Sequence, residues 1–270
     1  MKSYIYNIIK NRFKEIRLLL NNNFIFNLII YSLTLFQFIP IIRKALRKYY
    51  PKLLKLNYQG LTILTYASQL QNTFGHLLYS SHLPKEFISN VGDVVVDVGA
   101  SIGAFTIRSS LLVGEKGKVI AIEPEPNSFK ILNTNIKINK LSNVLCLNLA
   151  LSNKEGYENL YVKSDVPYAS SLKRGAGSYD TKITVKVKTL NNLFKEMKLQ
   201  RIDLLKINTA GSEKEIIEGS SELLRQKIIR KMVIGIYKIE DASYILNILR
   251  DYDFKYKIIL TGQRRILAYH

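Results

Sequence analysis

Three acids and a pair of glycines stand where an α/β chain would place its chemistry. The run DVVVDVGASIGAF, residues 93–105, reads as a β-branched strand ending at Asp97, a turn through Gly99 and Gly103, and the start of a helix. Glycines in such a turn let the backbone approach a ligand closely. The amides at the helix start favour an anionic group, and Asp97 suits a ligand that carries an amine. A dinucleotide site asks for G-x-G-x-x-G. The spacing here is G-x-x-x-G, which argues against an NAD-dependent oxidoreductase. S-adenosylmethionine offers both an ammonium and a carboxylate on its methionine end. The next strand, KVIAIE, ends in Glu123, 26 residues after Asp97. An acid at that tip can accept from both hydroxyls of a ribose.

A second stretch, IDLLKINTAGSE (residues 202–213), is a buried-type strand followed at once by small polar residues. No carboxylate lies between Asp203 and Glu213. If S-adenosylmethionine is the ligand, the reaction is a displacement at its sulfonium carbon, which brings its own activation. The protein must align the reacting atoms and, for a hydroxyl acceptor, take away a proton. Asn208 can position a hydroxyl but cannot act as a base at neutral pH. Glu213 could serve if it faces the pocket, although a first-turn acid also complements the helix dipole. His76 and His82 precede the sheet; a lone histidine there is more often structural or surface than catalytic. Tyr168, Ser170 and Ser171 belong to an insertion that could fold over the acceptor. Hard cations want carboxylates, so no metal site is expected at this strand end.

The elements that position these residues follow from the hydrophobic pattern. DVVVDV, KVIAIE, NVLCLNL, DLLKI and KMVIGIY alternate with helical stretches, which indicates a mostly parallel sheet covered on both faces. Between the third and fourth runs, YENLYVK and ITVKVK suggest a hairpin-like insertion joined by SSLKRGAGSYD. FKYKIIL and RILAYH, flanking TGQR, make a terminal hairpin. The single cysteine, Cys146, excludes an internal disulfide framework and a cysteine-based zinc site.

From Gly92 to Leu224 the chain resembles the FkbM-type family of S-adenosylmethionine-dependent methyltransferases. The resemblance is carried by GDVVVDVGASIGAFT, VIAIEPEPNSFKILNTNI, the ALS of residues 150–152, VKVKTLNNL and IDLLKINTAGSEKEIIEGSSELL. It covers about half of the chain, with the motifs in the family's order. It implies an α/β, Rossmann-like class I methyltransferase fold, with a mostly parallel seven-stranded sheet and a C-terminal hairpin. By that match Asp97, Gly99 and Gly103 line the methionine end of the cofactor, Glu123 holds the ribose, and the stretch from Asn148 to Ala150 sits beside the adenine; Ala100, Ser101 and Pro124 are cofactor-binding candidates in the same turns. The family's usual fourth-strand motif is K-I-D-x-E-G-x-E. Here its acids are replaced by Asn208 and Ala210, leaving Gly211 and Glu213, and Gly235 stands where the fifth strand often carries an acid. The catalytic candidates are therefore Asn208, Glu213 and His82.

The expected function is O-methylation of a hydroxyl on a sugar, glycan or lipid-linked saccharide. One alternative is a catalytically weakened or inactive binding protein of the same fold. A nucleic-acid methyltransferase, suggested by the net charge of +19, ranks lower. The chain has no Asn/Asp-Pro-Pro-aromatic motif, and its cysteine is not preceded by proline.

Residues 1–85 are expected to form a helical, basic and apolar extension, and residues 86–270 the methyltransferase domain. Residues 1–60 hold eleven Lys and Arg against Glu15 alone, a net +10. Such a block attracts an anionic membrane surface or another polyanion. Residues 24–42 carry no charge and just reach the length of a membrane span, but Pro40, four polar residues and equally basic flanks favour a packed or interfacial helix. The expected location is cytoplasmic, with membrane association left open.

Overall fold

The computed structural model describes residues 53–58, 60–66, 73, 83–162, 170–172, 179–260 and 264–270. The chain divides into two compact units between Asn72 and Thr73. In the first, β1 (Leu53–Tyr58) and β2 (Leu61–Tyr66) pair antiparallel around Gly60, Leu53 opposite Tyr66 and Tyr58 opposite Leu61. Ile63 and Thr65 alternate inward along LTILTY. This corrects the expectation of helix for this part of the 1–85 extension: residues 53–58 and 61–66 are strands, with Ile63 and Thr65 buried at the two-residue spacing of a half-buried strand. Residues 24–42, His76, His82 and Tyr168 lie outside the described residues. Among the described residues no helix is long and apolar enough to cross a membrane.

The second unit contains β3 (Val94–Val98), β4 (Lys118–Ile122), β5 (Val144–Leu147), β6 (Ala150–Leu151), β7 (Gly156–Val162), β8 (Thr181–Lys188), β9 (Leu204–Ile207), β10 (Lys231–Gly235), β11 (Lys255–Ile259) and β12 (Arg265–Tyr269). Seven of these form one sheet in the order β11-β12-β10-β9-β3-β4-β5. The inner pairs are parallel, and β12 runs antiparallel to both β10 and β11. This is the class I methyltransferase fold, closed by the terminal hairpin. The helices are α1 (Ala104–Val113), α2 (Pro126–Ile138), α3 (Leu190–Glu196), α4 (Glu213–Glu218), α5 (Ser221–Arg225) and α6 (Ile239–Asp251).

The central strands read as unbroken apolar runs because both faces are covered. Val95 and Leu204 pack with Phe87, Phe105 and Val113 on one face. Val96, Val98, Leu205 and Ile207 join the main core on the other, with Ile216, Ile217, Ile245 and Leu249. The insertion between β5 and β9 forms a second sheet, β6-β8-β7. Within it β7 and β8 make the expected antiparallel hairpin, and β6 adds a two-residue parallel edge.

At the amino edge of the large sheet, Asp203 joins β9 to β3. Its carboxylate accepts from Val94 N (2.8 Å), Arg201 Nε (2.8 Å) and Arg230 Nη1 (3.0 Å). Burial works to raise the Asp203 pKa, but the Val94 amide and the two guanidiniums prevail and hold it below the usual carboxylate value. Glycine turns and small polar residues gather at the opposite, carboxyl edge, where open α/β sheets bind ligands.

Candidate functional site

The turn from β3 into α1 is built by contacts within the protein. Gly99 and Gly103 have φ of 75° and 91°. A β-carbon on Gly99 would lie 2.2 Å from Asn208 O, and one on Gly103 would lie 2.5 Å from Leu132 Cδ1. These glycines therefore serve the left-handed turn and the close seating of the β9 loop and α2. The turn is fixed further by Gly99 N and Ala100 N, both donating to Ile122 O at 3.0 Å. From α2, the buried Asn135 side chain donates to Ile102 O at 2.8 Å.

Asp97 is fully buried. Its Oδ1 accepts from Lys206 Nζ at 2.7 Å and its Oδ2 from Thr106 Oγ1 at 2.6 Å. Lys206 also donates to Gly99 O at 2.9 Å and lies 5.6 Å from the Phe105 ring centroid. Asp97 and Lys206 are direct cross-strand partners in the parallel register of β3 and β9. The ion pair joins the glycine turn after β3 to the strand that leads to the Asn208 loop. Two charges buried in adjacent strands are tolerable only as a pair. The signal was present in the sequence, since VVVDV and LLKI each carry one charge inside an apolar run. The roles of Lys206 and Thr106 were missed.

At the tip of β4, Glu123 Oε2 accepts from Ser101 N at 2.7 Å and Oε1 from Glu125 N at 2.9 Å. Burial pushes the carboxyl pKa up to about 7, against the lowering effect of those two amides. Glu125 caps α2 in turn, accepting from Asn127 N and Ser128 N, with Pro126 at the first helical position. Asn148 is exposed and donates from Nδ2 to Glu123 O (2.9 Å) and Pro124 O (3.1 Å), bracing this corner. Ala150 is buried in the small sheet, opposite Val187. Asp97, Gly99, Ala100, Ser101, Gly103, Glu123, Pro124 and Asn148 thus meet at one corner of the sheet, and Ala150 begins the element beside it.

Beyond β9, Asn208 N donates to Val98 O at 3.1 Å, which packs this loop against the glycine turn. Glu213 opens α4 and turns back on the loop before it. Its Oε1 accepts from Thr209 N (3.0 Å), Thr209 Oγ1 (3.2 Å) and Gly211 N (3.4 Å). Burial raises its carboxyl to about 7 despite those amides. The arrangement makes Glu213 a brace for residues 208–212. Ser171, from the insertion, donates to Ala210 O at 2.6 Å. Gly235 ends β10 opposite Arg265, so no acid stands at that strand tip. Among the described residues no three His, Cys, Asp or Glu side chains are grouped to hold a metal ion.

Comparison with known proteins gives these positions a context. Over 169 residues the chain is 29% identical to "Methyltransferase sdnD" of Sordaria araneosa, covering 52% of this chain and 64% of the relative. It is 24% identical over 143 residues to "Methyltransferase 1" of Beauveria bassiana, covering 46% and 57%. The chain thus spans less than two thirds of the length of these curated relatives. Among solved structures, the crystal structure of methyltransferase FkbM from Methylobacillus flagellatus superposes with a TM-score of 0.49 at 15% identity, covering 75% of this chain and 54% of that one. The model of the methyltransferase FkbM domain matches residues 97–256. That match runs from the carboxylate at the tip of β3 into the terminal hairpin, over more than half of the chain, and the chain belongs to the FkbM methyltransferase family.

Proposed function

We propose that the chain transfers a methyl group from S-adenosylmethionine to a hydroxyl oxygen of a sugar, glycan or lipid-linked saccharide. The observation that carries the cofactor assignment is the Glu123 carboxylate, oriented by two amides at the tip of β4 beside the glycine turn. Each of its oxygens keeps acceptor capacity for a ribose hydroxyl. The first turn of α1, ten residues long, supplies amides for the methionine carboxylate. On both counts the residues fit S-adenosylmethionine, with Asp97 and Lys206 shaping the turn from beneath. When bound, the cofactor supplies an activated methyl on a positively charged sulfur.

The chain's own task is alignment. Asn208 is placed between the turn and the β10 tip, where it would orient the acceptor hydroxyl. Glu213, with its carboxyl raised to about 7, would take up the proton of the acceptor hydroxyl through Thr209 Oγ1, which would accept that proton while passing its own to Glu213 Oε1. The basic block of residues 1–60 would suit an acceptor held at an anionic surface.

The test is methyl transfer from labelled S-adenosylmethionine into a fractionated cell extract. Label recovered as an O-methyl sugar after glycan hydrolysis is expected; label confined to nucleic acid would overturn the acceptor assignment. The non-acidic residues Asn208 and Ala210 favour a second reading, a disarmed site that binds cofactor without turnover. On that reading the wild type transfers no label, and the pair Asn208→Asp and Ala210→Glu creates activity.

A further inference from the structure

The small sheet of the insertion turns one face of its β7–β8 hairpin to solvent. Leu160 and Val162 of β7 pack with Val185 and Val187 of β8 on the inner face. Tyr157, Asn159 and Tyr161 alternate with them and fall on the outer face. The register pairs Tyr157 with Lys186, Asn159 with Thr184 and Tyr161 with Lys182. Tyr157 is 74% exposed; Asn159, Lys182, Thr184 and Lys186 are exposed as well. Tyr161 is half-buried beside Tyr179, with ring centroids 6.1 Å apart. The outer face is thus a ladder of three rungs, tyrosine–lysine, asparagine–threonine and tyrosine–lysine. These six positions hold two cations and no acid. At one end, the neighbouring Glu155 is engaged by Thr189 N at 2.7 Å and Asn192 Nδ2 at 3.1 Å. At the other, Asp180 stands beyond Lys182. A ladder serving strand pairing alone gains most from acids opposite its lysines. Here each lysine faces an aromatic ring instead.

We propose that this face binds single-stranded nucleic acid. Such a ligand offers flat bases on a regularly charged backbone, and an open sheet face with interleaved rings and cations is complementary to both. Successive rungs lie about 7 Å apart along the strands, within the reach of one extended nucleotide. One base stacks on Tyr157 and another on Tyr161. Between them, Asn159 and Thr184 present an amide and a hydroxyl to the edge of a third. Lys182 and Lys186 take the flanking phosphates, and the net charge of +19 draws the polyanion in. A duplex keeps its bases stacked inside and offers this face its phosphates alone. The strip is a second surface, separate from the methyl-transfer reading above: it tethers the chain, and the methyl acceptor stays the hydroxyl proposed there.

The experiment uses the full chain and fluorescence anisotropy of a labelled oligodeoxythymidylate of about twelve nucleotides, within the usual range of site sizes. Competitors are the same length of duplex, heparin, and vesicles of phosphatidylcholine with phosphatidylserine. Tyr157→Ala leaves the charge of the chain unchanged, so it separates this face from binding by basic residues elsewhere. It should weaken the oligonucleotide at least about fivefold, the low end for one stacked base, while Tyr157→Phe stays within about twofold. Lys182→Gln with Lys186→Gln should lower the salt slope by about 1.4, for two single-strand phosphates. Lys186→Glu probes the same rung with Tyr157 in place and should also weaken binding several-fold. Because the strip is exposed, the thermal midpoint and the S-adenosylmethionine affinity should keep their wild-type values in every variant. Oligonucleotide affinity that Tyr157→Ala leaves within about twofold, or a salt slope unmoved by the two lysine changes, overturns the proposal. So does a Tyr157-dependent preference for duplex, heparin or vesicles over the single strand. A wild-type chain that does not bind the oligonucleotide overturns it outright and leaves the methyl-transfer reading untouched.

Discussion

Lys206→Met removes the charge that faces Asp97 across the two central strands while keeping much of the side-chain volume. In the native chain Asp97 has no exposed surface and Lys206 has 3%. Their 2.7 Å contact is completed by Thr106 on Asp97 and by the Gly99 carbonyl on Lys206. The variant leaves a carboxylate buried with one hydroxyl partner. Removing one member of a buried pair costs about 3–5 kcal/mol, and the lost bond to Gly99 O adds about 1 kcal/mol. Against a typical stability of about 5–15 kcal/mol this is a large fraction. At about 2–4 °C per kcal/mol for a domain of this size, the thermal midpoint should fall by roughly 8–24 °C. Urea denaturation followed by circular dichroism reads the free energy directly. Combining Lys206→Met with Asp97→Asn removes the stranded charge and should recover about 2 kcal/mol of the loss. A single-variant cost under about 1 kcal/mol, or strictly additive costs in the double variant, would refute the view that this pair locks the turn to β9.

Three further outcomes follow from the geometry. Gly99→Ala drives a β-carbon into Asn208 O at a left-handed φ; S-adenosylmethionine affinity should drop at least about tenfold, and native affinity in the variant would contradict the packing described. Glu123 and Glu213 are both raised from 4.5 to about 7 by burial. Their stabilising contribution is complete below the unfolded value of 4.5 and is lost as pH climbs to about 7, at up to about 1.4 kcal/mol per pH unit for each group. Urea midpoints taken from pH 5 to 7.5 should therefore fall, and Glu123→Gln or Glu213→Gln should each flatten the slope; a rising wild-type profile would be inconsistent with both shifts. Glu213→Ala releases the amides of Thr209 and Gly211. Their hydrogen exchange should quicken about tenfold or more, the equivalent of one bond to a charged acceptor, and unchanged protection would count against the brace.

Much of the fold was legible because its central strands are buried on both faces, so VVVDV, KVIAI and LLKI stand out as apolar runs between glycine turns. The terminal hairpin and the β7–β8 hairpin were legible from turn residues and alternation. The pairing of β6 with β8 was not, because a two-residue strand carries no periodicity. The β1–β2 hairpin was hidden by its leucines, which suit a helix as readily as a strand.

At the site, residue types picked out the corner at the tips of β3 and β4, and contacts show what holds it together. Asp97 looked like a ligand group, and only the register with Lys206 shows that it is also one half of a buried ion pair. Gly99 was noticed for its freedom; the neighbour that requires it, Asn208 O, lies more than a hundred residues away in sequence.

The most direct measurement is calorimetric titration of the full chain with S-adenosylmethionine, repeated on Glu123→Ala and with NAD in place of the methyl donor. One saturable site for S-adenosylmethionine is expected in the wild type. Glu123→Ala should weaken it at least about tenfold, as two hydrogen bonds to the ribose are lost, and NAD should give no heat of binding. Binding of NAD, or S-adenosylmethionine affinity that is indifferent to the loss of the Glu123 carboxylate, would contradict the cofactor site at the tips of β3 and β4.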